Sequence, residues 1–319
     1  MPHPDRRAAT LANLPSAAAP GTNAGPWSPP GAGSADCRID LKLLQWRAIA
    51  AIARSERARA HLGALTPQAH PDLWAGTVQD GAARGFAARL EECIALAEPP
   101  AATAAITRPT ADVPPRITTG KELRKRKDLL VKSGGSRIRF SRKEGLLFVD
   151  RDADQHSTNC LWFDARRDLG TLDGFVGDTT ERPRLFSAQF LQPREYEESD
   201  AGQRLVLAGR LGRGPIGWNC TVTLAGHADA DAVVLTIAID NQLPDWRLRA
   251  RFLGLPLAQI VHECTPVYEV VANDAGGFVA CTLVRACTRL ALGGEKLEVP
   301  AAACRGRIEH RFRLGQPRP

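Results

Sequence analysis

The sequence predicts a mainly β protein: a large antiparallel β-sandwich, preceded by a short helical segment and a disordered N-terminal tail. Three observations carry this expectation. Beyond Arg137 apolar residues recur at every second position, the period of a strand with one buried and one wet face. Before Glu98 they recur every three to four positions, the period of an amphipathic helix. Between the two lies Glu98–Arg116, whose five prolines oppose regular structure and mark a boundary.

Residues 1–36 are rich in Ala, Pro, Gly and Ser and lack periodicity, so this tail is expected to be disordered. A helical hairpin is expected over residues 37–97. Leu41, Leu44, Ala48 and Ile52 space a first helix from Ile39 to about Leu62, and Phe86, Leu90 and Ile94 space a second from Ala82 to Ala97. Residues 98–120 form a Pro-rich linker and the start of a basic segment. The sandwich domain is expected over residues 121–319. Trp218, Cys220, Val222 and Leu224 alternate with polar neighbours. Trp246, Leu248, Ala250 and Phe252 alternate with arginines, and Ile308, His310, Phe312 and Leu314 with charged residues. Further strands are expected at 137–140, 145–149, 159–163, 185–191, 203–211, 232–239, 267–272 and 278–284. The runs 232–239, 267–272 and 278–284 are apolar on both faces, which predicts central strands. Many strands with almost no helix between them point to a sandwich.

Hydrophobic content of 44% and charged content of 24% are ordinary for a globular protein. No stretch approaches the roughly 18–20 apolar residues that span a bilayer, and the N-terminus lacks the apolar core of a secretory signal. A cytoplasmic protein with no membrane partner is the expectation. The eight cysteines form no C-x-x-C pair and no zinc-finger spacing, so buried reduced thiols are expected. Of the net charge of +7, the segment 116–143 holds eleven Lys/Arg and two acids, a local +9, which leaves the remainder slightly acidic at −2. The segment has no aromatic interleaved in its densest run, Lys121–Lys127. A stacking platform for single strands is therefore missing, and nucleic acid is not expected as a partner.

Several motifs have a functional and a structural reading. His70-Pro-Asp-Leu-Trp74 offers an imidazole and a carboxylate but sits in a Pro-bearing loop without a second ligand pair, so no metal site is expected there. Asp173 and Asp178, and Asp240 and Asp245, flank turn sequences. Paired carboxylates are what glycoside hydrolysis needs, yet acids at turns usually serve the turn. No nucleophile elbow, phosphate loop or dinucleotide fingerprint is present. No catalytic residue, metal or cofactor is expected.

Three ordered segments carry a resemblance. The first runs from Asp240 to Phe252 and holds Asn241, Asp245, Arg247, Leu248 and Arg249. The second runs from Val279 to Leu290 and holds Thr282, Leu283 and Arg285. The third runs from Leu297 to Arg307 and holds Pro300, Ala302, Cys304 and Gly306, before a closing strand. In this order they resemble the C-terminal β-domain of glycoside hydrolase family 38, the α-mannosidases. Trp246, Val299 and Ala303 depart from the family pattern, standing where it has His, Thr and Gln. The resemblance implies a supersandwich of the galactose-mutarotase type. It also implies that zinc and the catalytic carboxylates belong to an N-terminal barrel-like domain, and a barrel takes about 250 residues. Residues 1–136 are expected to be too few for one. His70-Pro-Asp-Leu-Trp74 is one residue short of the family's zinc motif.

The function expected is therefore a non-catalytic carbohydrate-associated β-sandwich, either binding a mannose-type glycan or partnering a separate catalytic half. A sugar would stack on Trp218 or Trp246 and take hydrogen bonds from Asp240, Asn241, Asp245 and Arg249; the opposing reading packs both tryptophans in the core, on the apolar face of their strands. One alternative is a sugar-active enzyme, glycoside hydrolase or mutarotase-like, with its own site at His262-Glu263. Another is an interaction scaffold using segment 116–143.

Overall fold

In the computed structural model the residues described are 39–55, 58, 80–97, 116–134, 136–149, 159–170, 177–255, 257–262, 268–271, 278–292 and 295–315. The expected tail, most of the linker, the His70–Trp74 loop and Asp173 lie outside them. Helices α1 (Ile39–Arg54) and α2 (Asp80–Ala97) come first. Strand β1 (Arg116–Thr119) and the short helix α3 (Gly120–Lys125) follow. Next are β2 (Asp128–Ser133), β3 (Ser136–Ser141), β4 (Gly145–Val149), β5 (Leu161–Arg167) and β6 (Arg184–Ser187). The long strands β7 (Gln192–Ser199), β8 (Gly202–Arg213), β9 (Ile216–His227), β10 (Val233–Asn241) and β11 (Trp246–Leu253) form the middle of the chain. The last are β12 (Ile260–His262), β13 (Tyr268–Val271), β14 (Phe278–Ala286), β15 (Arg289–Leu292), β16 (Glu295–Glu298) and β17 (Gly306–Leu314). Among the described residues no helix is long and apolar enough to cross a membrane.

Two sheets make the sandwich. One has seven strands in the order β1-β7-β8-β9-β10-β17-β12, the other five in the order β13-β14-β11-β5-β6. All their pairings are antiparallel. The alternating residues read from the sequence supply the shared core. Trp218, Val222, Leu224 and Phe312 come from the first sheet, and Leu248, Phe252 and Leu283 from the second. Phe252 and Phe312 meet edge to face across the gap, with ring centroids 5.1 Å apart, a favoured arrangement for two aromatic quadrupoles. A three-stranded sheet, β2-β3-β4, adds Leu129, Val131, Ile138 and Phe140 to the same core.

The structure corrects three expectations. The sheet begins at Arg116, inside the span read as linker: Thr118 is buried while Arg116, Ile117 and Thr119 are exposed, and all four pair with β7. From there the basic segment continues through β1, α3, β2 and β3, with Leu123, Leu129 and Val131 buried beneath its exposed lysines. The run 185–191 is a short strand and a 3-10 turn. The apolar run at 267–272 contributes an edge strand, β13, whereas β10 and β14 have partners on both sides as expected.

The helical pair is amphipathic on two faces. Leu41, Ala48 and Ala51 of α1 pack with Phe86, Leu90 and Cys93 of α2, while Leu43 of α1 is buried in the sandwich core. Arg47 Nη2 donates to the Glu309 carbonyl at 3.2 Å, anchoring α1 to β17.

Glycine is required where β9 passes under β2. A Cβ on Gly226 would stand 2.0 Å from the Lys132 carbonyl oxygen, so backbone would have to move. Gly226→Ala is expected to cost about 1–3 kcal/mol, as overpacking does. Gly85 of α2 is exposed with open space around it, and Gly85→Ala is expected to stabilise by up to about 1 kcal/mol through helix propensity. Urea midpoints at unchanged slope measure both, and equal signs for the two would refute the packing account.

Candidate functional site

Among the described residues, chemistry-bearing side chains converge in three places. The first is one end of the sandwich, where β10 hands over to β11. Asn241 ends β10 and is fully buried. Its Oδ1 accepts from Trp218 Nε1 at 2.9 Å, and its Nδ2 donates to the carbonyls of Ala303 at 3.1 Å and Cys304 at 3.0 Å. Asp245, just before β11, lies in the left-handed region at φ +59°, which Asp tolerates better than most residues. Its carboxylate accepts from Thr288 N at 2.7 Å and Thr288 Oγ1 at 2.8 Å. The Asp245 carbonyl takes the Asp168 N–H at 2.9 Å. Trp218 lies edge-on between Phe186 and Trp246, at centroid distances of 6.4 and 6.0 Å.

Directly beside this knot, Asp168 and Arg285 form an ion pair with both side chains at 0% exposure. Arg285 Nε donates to Oδ2 at 2.6 Å, Gly170 N donates to Oδ1 at 2.8 Å, and Cys287 Sγ donates to Oδ2 at 3.4 Å. A charge pair so far from water is tolerable only with its lone pairs satisfied in this way.

The second place is the five-stranded sheet. Asp164 on β5 takes a fork from Arg249 on β11, Nε to Oδ1 at 2.9 Å and Nη2 to Oδ2 at 2.6 Å, and a further bond from Arg251. Arg247, buried on the same strand, donates from Nε to Thr282 Oγ1 of β14 at 3.2 Å.

The third place lies between the sheets. His262 Nε2 and His310 Nδ1 are 3.1 Å apart. His310 Nε2 reaches the Leu283 carbonyl at 2.8 Å; a carbonyl only accepts, so Nε2 carries the proton and the Nδ1 lone pair faces His262. Burial pushes His310 down to about 4, which keeps the ring neutral at pH 7. Cys281 joins this pair, and the ligand atoms of His262, Cys281 and His310 all lie within 4.8 Å of one another.

The residues expected to hold a sugar divide accordingly. Trp218, Asn241, Asp245 and Trp246 do come together, as an internal knot. Trp218 is 1% exposed and Trp246 8%, so neither offers an open ring face: the core-packing reading is the one seen, because both rings sit on the apolar side of their strands. Asp240 points the other way from Asn241 and accepts from Gln242 Nε2 at 2.8 Å, and Arg249 is engaged by Asp164. Asp178 caps its own turn, accepting from Thr180 N at 2.8 Å and Thr180 Oγ1 at 2.6 Å, and these bonds lower its pKa. His262 turns to His310; Glu263 lies outside the described residues.

Sequence reasoning missed the His262, Cys281 and His310 cluster and the Asp168–Arg285 pair. Cys93, Cys160, Cys220, Cys281, Cys287 and Cys304 are buried thiols, as expected, and burial raises Cys160 to about 12.

The three segments that carried the family resemblance meet here through named bonds. Asn241 reaches Cys304, Arg247 reaches Thr282, and Asp245 accepts from Thr288. No protein-family model matches the chain, and no curated protein matches it in sequence. Solved structures do match. An α-mannosidase from Enterococcus faecalis V583 is 12% identical, with 88% of this chain covering 55% of that one at a TM-score of 0.56. A glycosyl hydrolase family 38 protein from Enterococcus faecalis is also 12% identical, with 88% covering 56% at a TM-score of 0.54. The chain thus spans about half the length of these proteins, and at this identity the likeness is one of fold. In fold, the chain is similar to a little over half of a family 38 α-mannosidase.

Proposed function

We propose that this chain is a non-catalytic, carbohydrate-associated β-sandwich that works with a separate catalytic half of the α-mannosidase kind. The observation that carries this reading is the extent of the likeness, 88% of this chain against 55% of an α-mannosidase. The engagement of the convergent carboxylates supports it. Asp164, Asp168 and Asp245 each have arginine, backbone or hydroxyl donors on both oxygens. Such groups are held as structural acceptors, whereas glycoside hydrolysis needs one carboxyl free to give and take a proton. The buried rings of Trp218 and Trp246 favour the partner role over direct stacking on a sugar.

The test has two arms. The purified full chain is assayed on an aryl α-mannoside with and without added zinc, and is expected to show no turnover above buffer. The tagged chain is then isolated from its own cell extract and the eluate assayed for α-mannosidase activity, which is expected to co-purify with a second polypeptide or segment. Turnover by the isolated chain would overturn the non-catalytic reading. Strong binding of the chain alone on a glycan array would move the reading to a lectin-like module.

A further inference from the structure

Among the described residues, the sandwich interior holds a group of side chains that neither the fold likeness nor the proposed function uses. His262 lies on β12, the edge of the seven-stranded sheet, and His310 on its neighbour β17. Cys281 lies on β14 of the opposite sheet. All three side chains are buried, His310 and Cys281 completely and His262 at 8% exposure. They point into the gap between the sheets from three different strands.

The donor set has the chemistry of a soft-metal site. Two imidazole nitrogens and one thiol sulfur converge within 4.8 Å. His262 Nε2 and His310 Nδ1 are already at 3.1 Å, a spacing close to that of two ligands sharing one small cation. The Leu283 carbonyl holds the far nitrogen of His310 at 2.8 Å. This is the outer-shell contact that metal-bound histidines usually have: it fixes the tautomer and turns the lone pair of the inner nitrogen toward the cluster. Rings pack around the donors and keep them in place. His262 meets Phe312 edge to face at 4.6 Å, and His310 stacks with Phe312 at 6.3 Å.

We propose that His262 Nε2, His310 Nδ1 and Cys281 Sγ bind one thiophilic d10 cation, Zn²⁺ or Cu⁺, between the two sheets. A thiolate with two neutral imidazoles suits both ions, and a three-donor set favours Cu⁺, whereas Zn²⁺ ordinarily takes a fourth ligand. The balance is simple. Cys281 gives up its thiol proton to solvent, His262 moves its proton from Nε2 to Nδ1, and His310 keeps its proton on Nε2. No oxidation state changes. The ion would pin the edge strand β12 and β17 to β14.

The experiment uses the full chain, stripped with a chelator and reduced. One aliquot is titrated with zinc against a chromophoric zinc chelator, a second with Cu⁺ against bicinchoninate, and a third with Co²⁺ to read the sulfur-to-cobalt charge-transfer band. One ion per chain is expected for zinc or copper, with a charge-transfer band for cobalt. Cys281→Ala is expected to abolish the band, and Cys281→Ala and His262→Gln are each expected to weaken retention by at least about tenfold. Cys220→Ala, a buried thiol elsewhere in the core, should bind as the parent does. Cys281→Ala is small and apolar and His262 is on an edge strand, so circular dichroism is expected to show both variants folded; if one unfolds, the other decides. Retention of neither ion by the parent chain, or equal retention by the parent and Cys281→Ala, would overturn the proposal.

Discussion

Asp168→Asn is expected to cost the fold on the order of 3–5 kcal/mol, as removal of one partner from a buried ion pair does. The carboxamide keeps an acceptor for Gly170 N, which bonds Oδ1 at 2.8 Å. It leaves the Arg285 guanidinium, at 0% exposure, without the carboxylate charge that faces it across Oδ2. Holding that charge away from water without its carboxylate outweighs the loss of any single hydrogen bond, which is about 1 kcal/mol net. Arg285→Met should cost a similar amount, since Asp168 then remains buried with its charge uncompensated. The double variant Asp168→Leu with Arg285→Met is expected to recover a large share, because neither charge of the pair remains. Urea unfolding of the parent and these variants, with Asp168→Leu alone to close the cycle, gives the coupling directly. Single variants that each lose less than about 1 kcal/mol would show that the pair is not as dry as its geometry says.

Where the sequence is readable, one strand carries one period. Trp246, Leu248, Ala250 and Phe252 alternate with arginines, and β11 buries that face. The same holds for Ile308, His310, Phe312 and Leu314 in β17. Strand β2 is hidden because its buried Leu129 and Val131 sit beside the lysines of the basic run. Strand β12 has three residues, too few to show a period. The run read as a central strand at 267–272 is an edge, because apolar composition does not reveal how many neighbours a strand has. The site is hidden for a related reason. Turn chemistry at Asp240–Asp245 can be read locally, but the carbonyls that Asn241 Nδ2 reaches lie 62 and 63 residues away and the Thr288 that Asp245 binds lies 43 away. His262 and His310 are 48 residues apart on neighbouring strands. Contacts between segments so far apart in the chain leave no spacing in it.

Asn241 is the residue whose loss tests whether the end of the sandwich is one knot or several independent contacts. Asn241→Ala is expected to cost about 3 kcal/mol or more, since it leaves Trp218 Nε1 and the carbonyls of Ala303 and Cys304 without their shared partner, and each unsatisfied buried group costs about 1–3 kcal/mol. The identity of the side-chain atoms makes a sharper prediction. Nδ2 donates to two carbonyls while Oδ1 accepts from Trp218 and, at 3.3 Å, from Leu243 N. Asn241→Asp preserves shape and the acceptor side but turns the donor side into an oxygen facing two carbonyl oxygens. Asp should therefore be at least as damaging as Ala, although it is the closer isostere. Trp218→Phe removes only the indole donor and part of the ring, so its loss should be smaller than that of Trp218→Ala, which opens a cavity worth about 3–5 kcal/mol. If the knot is a unit, Trp218→Phe should cost much less in an Asn241→Ala background than in the parent, because the bond it removes is already gone. Additive losses would mean that the Trp218–Asn241 bond contributes nothing, and that packing of Trp218 between Phe186 and Trp246 alone holds this end of the sandwich.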